Sequence, residues 1–230
     1  MNNYLNRFEK KFFLDSRQES ELKKKIRDIF FLDKFISNNH GYFCLSVYFD
    51  CLDMSSMNAK IEGLAKKTKI RVRTYLNNLD DVPKKWNFEI KNKDYNSVSK
   101  KKFSINHAEL TNMFLLRNYR ELLNKNFETI DKIYKPTYVV CYFREAYNSD
   151  IFSHCRITID KDIICNKFSV NFMTELKQNK NFVIDPRKKL LELKYSRFLP
   201  ESLSDVFQSL NLSQVTFSKY VDGILNQKYF

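Results

Sequence analysis

Charged and apolar residues alternate with a period of two along several short stretches of the chain. In 7–14, Arg7, Glu9 and Lys11 share one face, while Phe8, Phe12 and Leu14 lie mostly on the other. Lys69, Arg71 and Arg73 interleave with Ile70 and Val72, and Glu89, Lys91 and Lys93 stand around Ile90. Lys100 and Lys102 repeat the pattern, as do Glu192 and Lys194 around Leu193. Successive side chains on a strand point to opposite faces, so each stretch presents a charged row backed by an apolar row. The pattern predicts about eight strands, at 7–14, 42–50, 69–75, 86–93, 98–105, 137–147, 155–160 and 188–197. Helical spacing predicts a helix over 17–36, capped by Asp15 or Ser16, with Ile26, Ile29, Phe30 and Phe35 as its stripe. A second covers 107–131 through Leu110, Phe114, Leu115, Leu122 and Phe127. Others follow Pro200 and span 216–227, with a short helix or turn near 53–62. Asn and Asp clusters at 77–85 and 94–97 mark turns. No repeat or linker divides the chain. The expectation is one α+β domain over 1–230, an eight-stranded antiparallel β-barrel tunnel with flanking and plugging helices.

A single charged row is the ordinary outer face of an antiparallel sheet. Here almost every strand has one, and the rows are mostly basic with isolated glutamates. In a closed barrel such rows converge on the interior, where like charges repel unless a polyanion, counterions or a metal relieves them. Arg144 stands out within a Tyr- and Phe-rich strand, since a buried guanidinium needs a partner; Glu145 or Glu9 is the expected one. Tyr48 and Tyr142 read as core residues. Lys10, the run Lys23–Lys25, Lys66, Lys67 and Lys101 read as solvated faces.

Composition sharpens the choice of partner. The formal net charge is +13, which favours polyanions: nucleic acid, an anionic membrane or polyphosphate. Apolar residues make up 43% and aromatics 15%, enough for a packed core. The five cysteines form no CxxC pair and only three histidines accompany them, which argues against a zinc site or a disulfide framework. Reduced thiols make the cytoplasm the expected location, and no apolar run approaches about 20 residues, so membrane insertion is not expected. Basic residues on inward faces also argue against nucleic acid, which would need exposed basic patches with stacking aromatics.

The order of short blocks resembles a known family. Arg7-Phe8-Glu9-Lys10-Lys11-Phe12 is similar to the first strand of VTC-domain proteins, the polyphosphate-polymerase branch of the triphosphate tunnel (CYTH-like) superfamily. Ser46-Val47-Tyr48-Phe49-Asp50, Lys60-Ile61-Glu62-Gly63 and Lys69-Ile70-Arg71-Val72-Arg73-Thr74-Tyr75 follow in the family's order. Phe88-Glu89-Ile90-Lys91, Ser99-Lys100-Lys101-Lys102-Phe103 and Cys141-Tyr142-Phe143-Arg144-Glu145 come next. Arg156-Ile157-Thr158-Ile159-Asp160, Leu191-Glu192-Leu193-Lys194-Tyr195 and Phe217-Ser218-Lys219-Tyr220 complete the series. Arg7 stands where the wider superfamily has glutamate, which fits the polymerase branch; Lys102 stands where the family often has arginine.

The resemblance implies transfer of the ATP γ-phosphoryl group to a growing polyphosphate chain, with ATP and polyphosphate as partners and Mn²⁺ or Mg²⁺ as cofactor. It implies Arg71, Arg73, Arg144 and Lys219 as catalytic residues. Lys11, Lys91 and Lys100 join them as phosphate ligands, with Lys102, Arg156 and Lys194 as additions. Glu192, helped by Glu9, is the implied metal ligand, with a salt bridge to Lys194 as its structural alternative. Lys219, in a helix after the last strand, is placed to orient the phosphate chain at a tunnel mouth. These residue types suit phosphoryl transfer, which needs positioning and charge neutralisation more than covalent help. A metal-dependent triphosphatase and a non-catalytic polyphosphate or inositol-phosphate binder remain open as alternatives.

Overall fold

The computed structural model describes residues 7–33, 40–95, 97–119, 123, 133–196 and 198–228. They form nine strands: β1 (Arg7–Leu14), β2 (Phe31–Leu32), β3 (Tyr42–Asp50), β4 (Lys67–Leu76), β5 (Lys85–Asp94), β6 (Ser97–Asn106), β7 (Lys135–Asn148), β8 (Cys155–Lys167) and β9 (Lys189–Ser196). Six helices accompany them: α1 (Ser16–Ile26), α2 (Ser55–Ile61), α3 (His107–Leu116), α4 (Phe172–Gln178), α5 (Glu201–Ser209) and α6 (Lys219–Lys228). One sheet holds all nine strands in the order β1-β9-β8-β7-β3-β4-β5-β6, with β2 pairing with β7 off this path. The order begins at β1 and ends at β6, and among the described residues no pairing joins these two ends. Contact density divides the chain into two compact units. The first comprises 1–43, 142–163 and 184–217; the second comprises 44–141, 164–183 and 218–230.

In the first unit β9 lies between β1 and β8, both antiparallel to it. Phe12 and Leu14 of β1, Ile157 and Ile159 of β8, and Leu191 and Leu193 of β9 fall on one face by the strand period. There they pack with Leu22 and Ile26 of α1 and Leu203 and Phe207 of α5 into one core cluster. The helices thus cover the apolar face and leave the charged rows on the other. A capping box starts α1: the Asp15 carboxylate accepts from the Gln18 N–H at 2.7 Å, and the Gln18 side chain accepts from the Asp15 N–H at 3.1 Å.

The expected helix 17–36 stops at Ile26. Residues 27–29 turn, with the Phe30 N–H bonding to the Ile26 carbonyl, and β2 then pairs Phe31 with Asn148 and Leu32 with Tyr147. Phe30 is still buried in the core, so the helical stripe marks true core residues even though strand pairing overrides the local period. Phe35 lies outside the described residues. Gly41 sits where the chain passes β7 closely: a Cβ there would stand 2.5 Å from Phe143 Cζ and 2.6 Å from the Arg144 carbonyl oxygen.

The second unit has an aromatic core in which Phe49, Phe88, Phe103, Phe114 and Phe172 stack or tilt against one another and Trp86. β5 pairs with β4 on one side and β6 on the other. The helix expected over 107–131 is described only as α3, ending at Leu116, where Arg117 takes a left-handed backbone (φ 56°). Leu122 and Phe127 lie outside the described residues. All five cysteines are buried and free, behaving as small apolar side chains. Among the described residues no helix is long and apolar enough to cross a membrane.

Candidate functional site

In the second unit the strand register builds a basic face residue by residue. Lys69 lies opposite Lys91, and Lys91 opposite Lys100, so three lysines form a ladder across β4, β5 and β6. Lys67 and Lys93 form a further like-charge pair on the same face. Burial and the charges of Lys60 and Lys93 hold the Lys67 ammonium pKa below its usual range. Lys67 shares the strand face of this charged row and is half-buried. One step along the strands, Arg71 lies opposite Glu89, and Glu89 opposite Lys102. Lys91, Lys100 and Lys102 are solvent-exposed, whereas Arg73 is buried.

Both arginines are held in place. Arg71 donates from Nε and Nη2 to Glu89 Oε2 at 2.8 and 2.6 Å, and from Nη1 to the Tyr48 hydroxyl at 3.3 Å. Burial raises the Glu89 pKa, but Arg71, Arg73 and Lys100 together bring it below the usual carboxylate range. Arg73 donates from Nε to Ser46 Oγ at 2.8 Å. Ser46 and Tyr48 are alternate residues of β3, so one strand face orients both guanidinium groups. Lys219 is the first residue of α6, whose first turn is closed by the Ser218 N–H donating to Asp222 Oδ2 at 2.7 Å.

The first unit carries a second cluster. Lys11 Nζ lies 3.2 Å from Glu9 Oε1 and 3.7 Å from Glu192 Oε1, and it donates to the Phe217 carbonyl at 2.8 Å. Lys194 Nζ lies 3.7 Å from Glu9 Oε2 and 3.6 Å from Glu192 Oε2. Two lysines thus bridge two carboxylates. Burial raises the Glu9 pKa, and Lys194 and Lys11 outweigh it, keeping the group ionised below its ordinary range. The salt bridge between Glu192 and Lys194 is present, and so is the bridge from Glu192 to Lys11.

Arg144 donates from Nε to Asp160 Oδ1 at 2.6 Å and from Nη2 to Asp160 Oδ2 at 2.7 Å, a bidentate fork on a fully buried carboxylate. Its Nη2 also reaches Glu192 Oε2 at 3.4 Å, and its guanidinium lies 5.0 Å from the centre of the Tyr142 ring. Neither expected partner, Glu145 or Glu9, is the one that grips it. Glu145 adjoins Arg144 on the strand and so points to the opposite face, where it binds Lys161, Lys23 and Tyr147 at 2.5–2.6 Å. Lys23 is accordingly an anchored residue of α1. Arg156 lies opposite Lys194 in register, and its Nη2 donates to Asp33 Oδ2 at 2.8 Å.

Sequence reasoning placed Lys69 in a charged row without making it a phosphate ligand, and it did not single out Asp160, Asp33 or Ser46. For Asp160 a signal exists: Arg156, Thr158 and Asp160 alternate along β8 on the face that carries Glu192 and Lys194 of β9. For Asp33, brought to Arg156 through β2, no signal exists.

The carboxylate pair suits a hard divalent cation, which prefers one or two carboxylates and fills its remaining positions with water and phosphate oxygens. Among the described residues no group of three or more His, Cys, Asp or Glu side chains assembles, so an all-protein cage is not what the clusters offer.

A model of the VTC domain matches residues 6–227. The chain belongs to the VTC domain family. No curated protein matches it in sequence. Among solved structures it is similar to a provisionally assigned adenylate cyclase from Bacillus halodurans. The TM-score is 0.52 at 10% identity, over 91% of this chain and 92% of that one. At that identity the likeness concerns the fold alone. The fold that carries this VTC domain is an antiparallel sheet flanked by helices.

Proposed function

We propose that this VTC domain is a polyphosphate polymerase that transfers the γ-phosphoryl group of ATP to a growing polyphosphate chain. The supporting observation is the lysine ladder Lys69-Lys91-Lys100, beside Arg71 and Arg73. Like charges directly opposite on neighbouring strands destabilise a sheet, so a row of three is costly unless a polyanion neutralises it. A phosphate chain carries its negative charges in series along one dimension, as the ladder carries its positive ones.

In this reading, residues 1–230 act as one functional domain enclosing a tunnel. Arg71, Arg73 and Lys219, with Lys91, Lys100 and Lys102, hold phosphate oxygens, the arginines by bidentate forks and the lysines as mobile point charges. In the first unit Arg144, Lys11, Arg156 and Lys194 neutralise phosphate charge. Glu192 with Glu9 would hold Mn²⁺ or Mg²⁺, which supplies charge neutralisation and orientation of phosphate oxygens when bound. Asp160 acts on the site through Arg144 as a positioning residue, since a pinned guanidinium loses less freedom on meeting phosphate.

Incubation with ATP and Mn²⁺, following ADP, free phosphate and polyphosphate separately, tests the proposal. ADP with long-chain polyphosphate is the expected product pair. ADP with free phosphate alone makes the protein a triphosphatase, and tight polyphosphate binding without turnover makes it a binding module; either result overturns polymerisation.

A further inference from the structure

Two stacked tyrosines in the second unit face opposite charges. The rings of Tyr48 and Tyr220 lie 4.6 Å apart at 28° and both are buried. The Tyr220 hydroxyl donates to Asp50 Oδ2 at 2.9 Å and stands 3.3 Å from Thr137 Oγ1. The Tyr48 hydroxyl instead receives Arg71 Nη1, with Lys69 Nζ 4.9 Å from its ring centre and Arg71 Cζ 6.0 Å from it. One phenol is thus a donor to a carboxylate, and its neighbour is an acceptor from a cation.

We propose that Tyr48 is a proton-linked residue of the phosphate site, its phenol anionic while the basic cluster is empty and protonated when polyphosphate binds. The inference rests on the phosphate-binding reading of Arg71 and Lys69. The groups facing Tyr48 are Lys69, Arg71 and Arg73 from β4, Glu89 of β5 acting through Arg71, and Tyr220 of α6 with its Asp50 partner. Burial alone raises a phenol pKa. At Tyr48 the charges of Lys69, Arg71 and Arg73 and the Arg71 hydrogen bond outweigh it and bring the value down to about 7. At Tyr220 burial and Asp50 act together and push the value well up, so that phenol stays neutral.

Phosphates bound at Arg71 and Lys69 cancel the charges that stabilise the phenolate. Tyr48 then takes one proton from solvent, forming its O–H bond with no other bond broken. The site loses an anion as it gains a polyanion, which removes a repulsion that would otherwise oppose binding. Tyr48 acts through Arg71 and is a positioning residue; Tyr48→Phe keeps the ring beneath Lys69 and against Tyr220.

The test combines near-ultraviolet tyrosinate absorbance with calorimetry of tripolyphosphate binding in buffers of different ionisation enthalpy, on wild type and Tyr48→Phe at matched ionic strength. The wild-type chain should show a phenolate titration centred at about 7 that Tyr48→Phe lacks. At about pH 8, where an unperturbed phenol is neutral, tripolyphosphate should bleach the tyrosinate and take up close to one more proton per ligand than in Tyr48→Phe. Binding with no absorbance loss and equal proton uptake in both proteins overturns the proton link alone. Absence of tripolyphosphate binding overturns the phosphate-site reading and the link with it.

Discussion

Arg144 shows how one residue's neighbours are set by strand geometry. Its bidentate partner is Asp160, fully buried, with Glu192 as a second, longer contact. Removing one member of a buried pair leaves the other charge desolvated and costs far more than the pair contributes net. Asp160→Ala should therefore lower unfolding free energy by about 3–5 kcal/mol in urea denaturation; a loss below about 1 kcal/mol would show that solvent reaches Arg144. Glu192→Gln keeps the shape of the first-unit cluster while halving its carboxylate charge. It should abolish Mn²⁺-dependent turnover while the chain remains folded; wild-type turnover would remove Glu192 from the metal site. The need of Arg144 for a partner is legible in a strand so rich in Tyr and Phe. The identity of that partner is not, because Asp160 is 16 positions away and meets Arg144 only through pairing in the sheet.

At the scale of elements, period-two alternation was a sound guide wherever one face of a strand is apolar. β4, β5 and β6 fall within two residues of their expected bounds. Alternation ended the expectation for β8 at Asp160, but the strand runs on to Lys167 past Asp162, whose left-handed backbone (φ 48°) interrupts the pattern. The short helix α4 went unseen because Asn171 makes no side-chain cap and its seven residues offer barely two turns. Charge networks are less legible still. Glu19 of α1 lies 2.7 Å from both Lys23 and Lys161, while Glu145 of β7 lies 2.6 Å from Lys23 and 2.5 Å from Lys161. Burial raises both glutamate pKa values, and the lysine hydrogen bonds outweigh it, leaving each below the ordinary value. A depressed carboxylate pKa contributes stability that is present above the unfolded value of 4.5 and is lost as pH falls through the folded one. Hydrogen exchange in α1 should thus keep its protection from neutrality down to about pH 5 and lose it on further acidification. Equal protection at pH 3 and pH 7, or about so, would show that the network does not hold the helix.

For the whole molecule the governing quantity is the excess of positive charge, +13, and its concentration on chosen strand faces. Self-repulsion of this size destabilises the compact state and is relieved by anions. A ligand that binds only the folded chain stabilises it by mass action, about 2.7 kcal/mol at 100 times its dissociation constant. For a domain of this size that corresponds to a rise of about 5–10 °C in thermal midpoint. Tripolyphosphate should produce such a rise, and potassium chloride at equal ionic strength a much smaller one; equal shifts would reduce the effect to screening. The charge excess and the order of the VTC blocks were both readable along the chain, whereas the lysine ladder needs the β4-β5-β6 register, which no single strand reveals.

Calorimetric titration of the intact chain with tripolyphosphate, in wild type and Arg71→Ala, tests the central claim most directly. The account predicts saturable binding to the wild type and at least a tenfold loss of affinity in the folded variant, the equivalent of about 1.4 kcal/mol. Undiminished affinity in Arg71→Ala, or no binding by either protein, would contradict it.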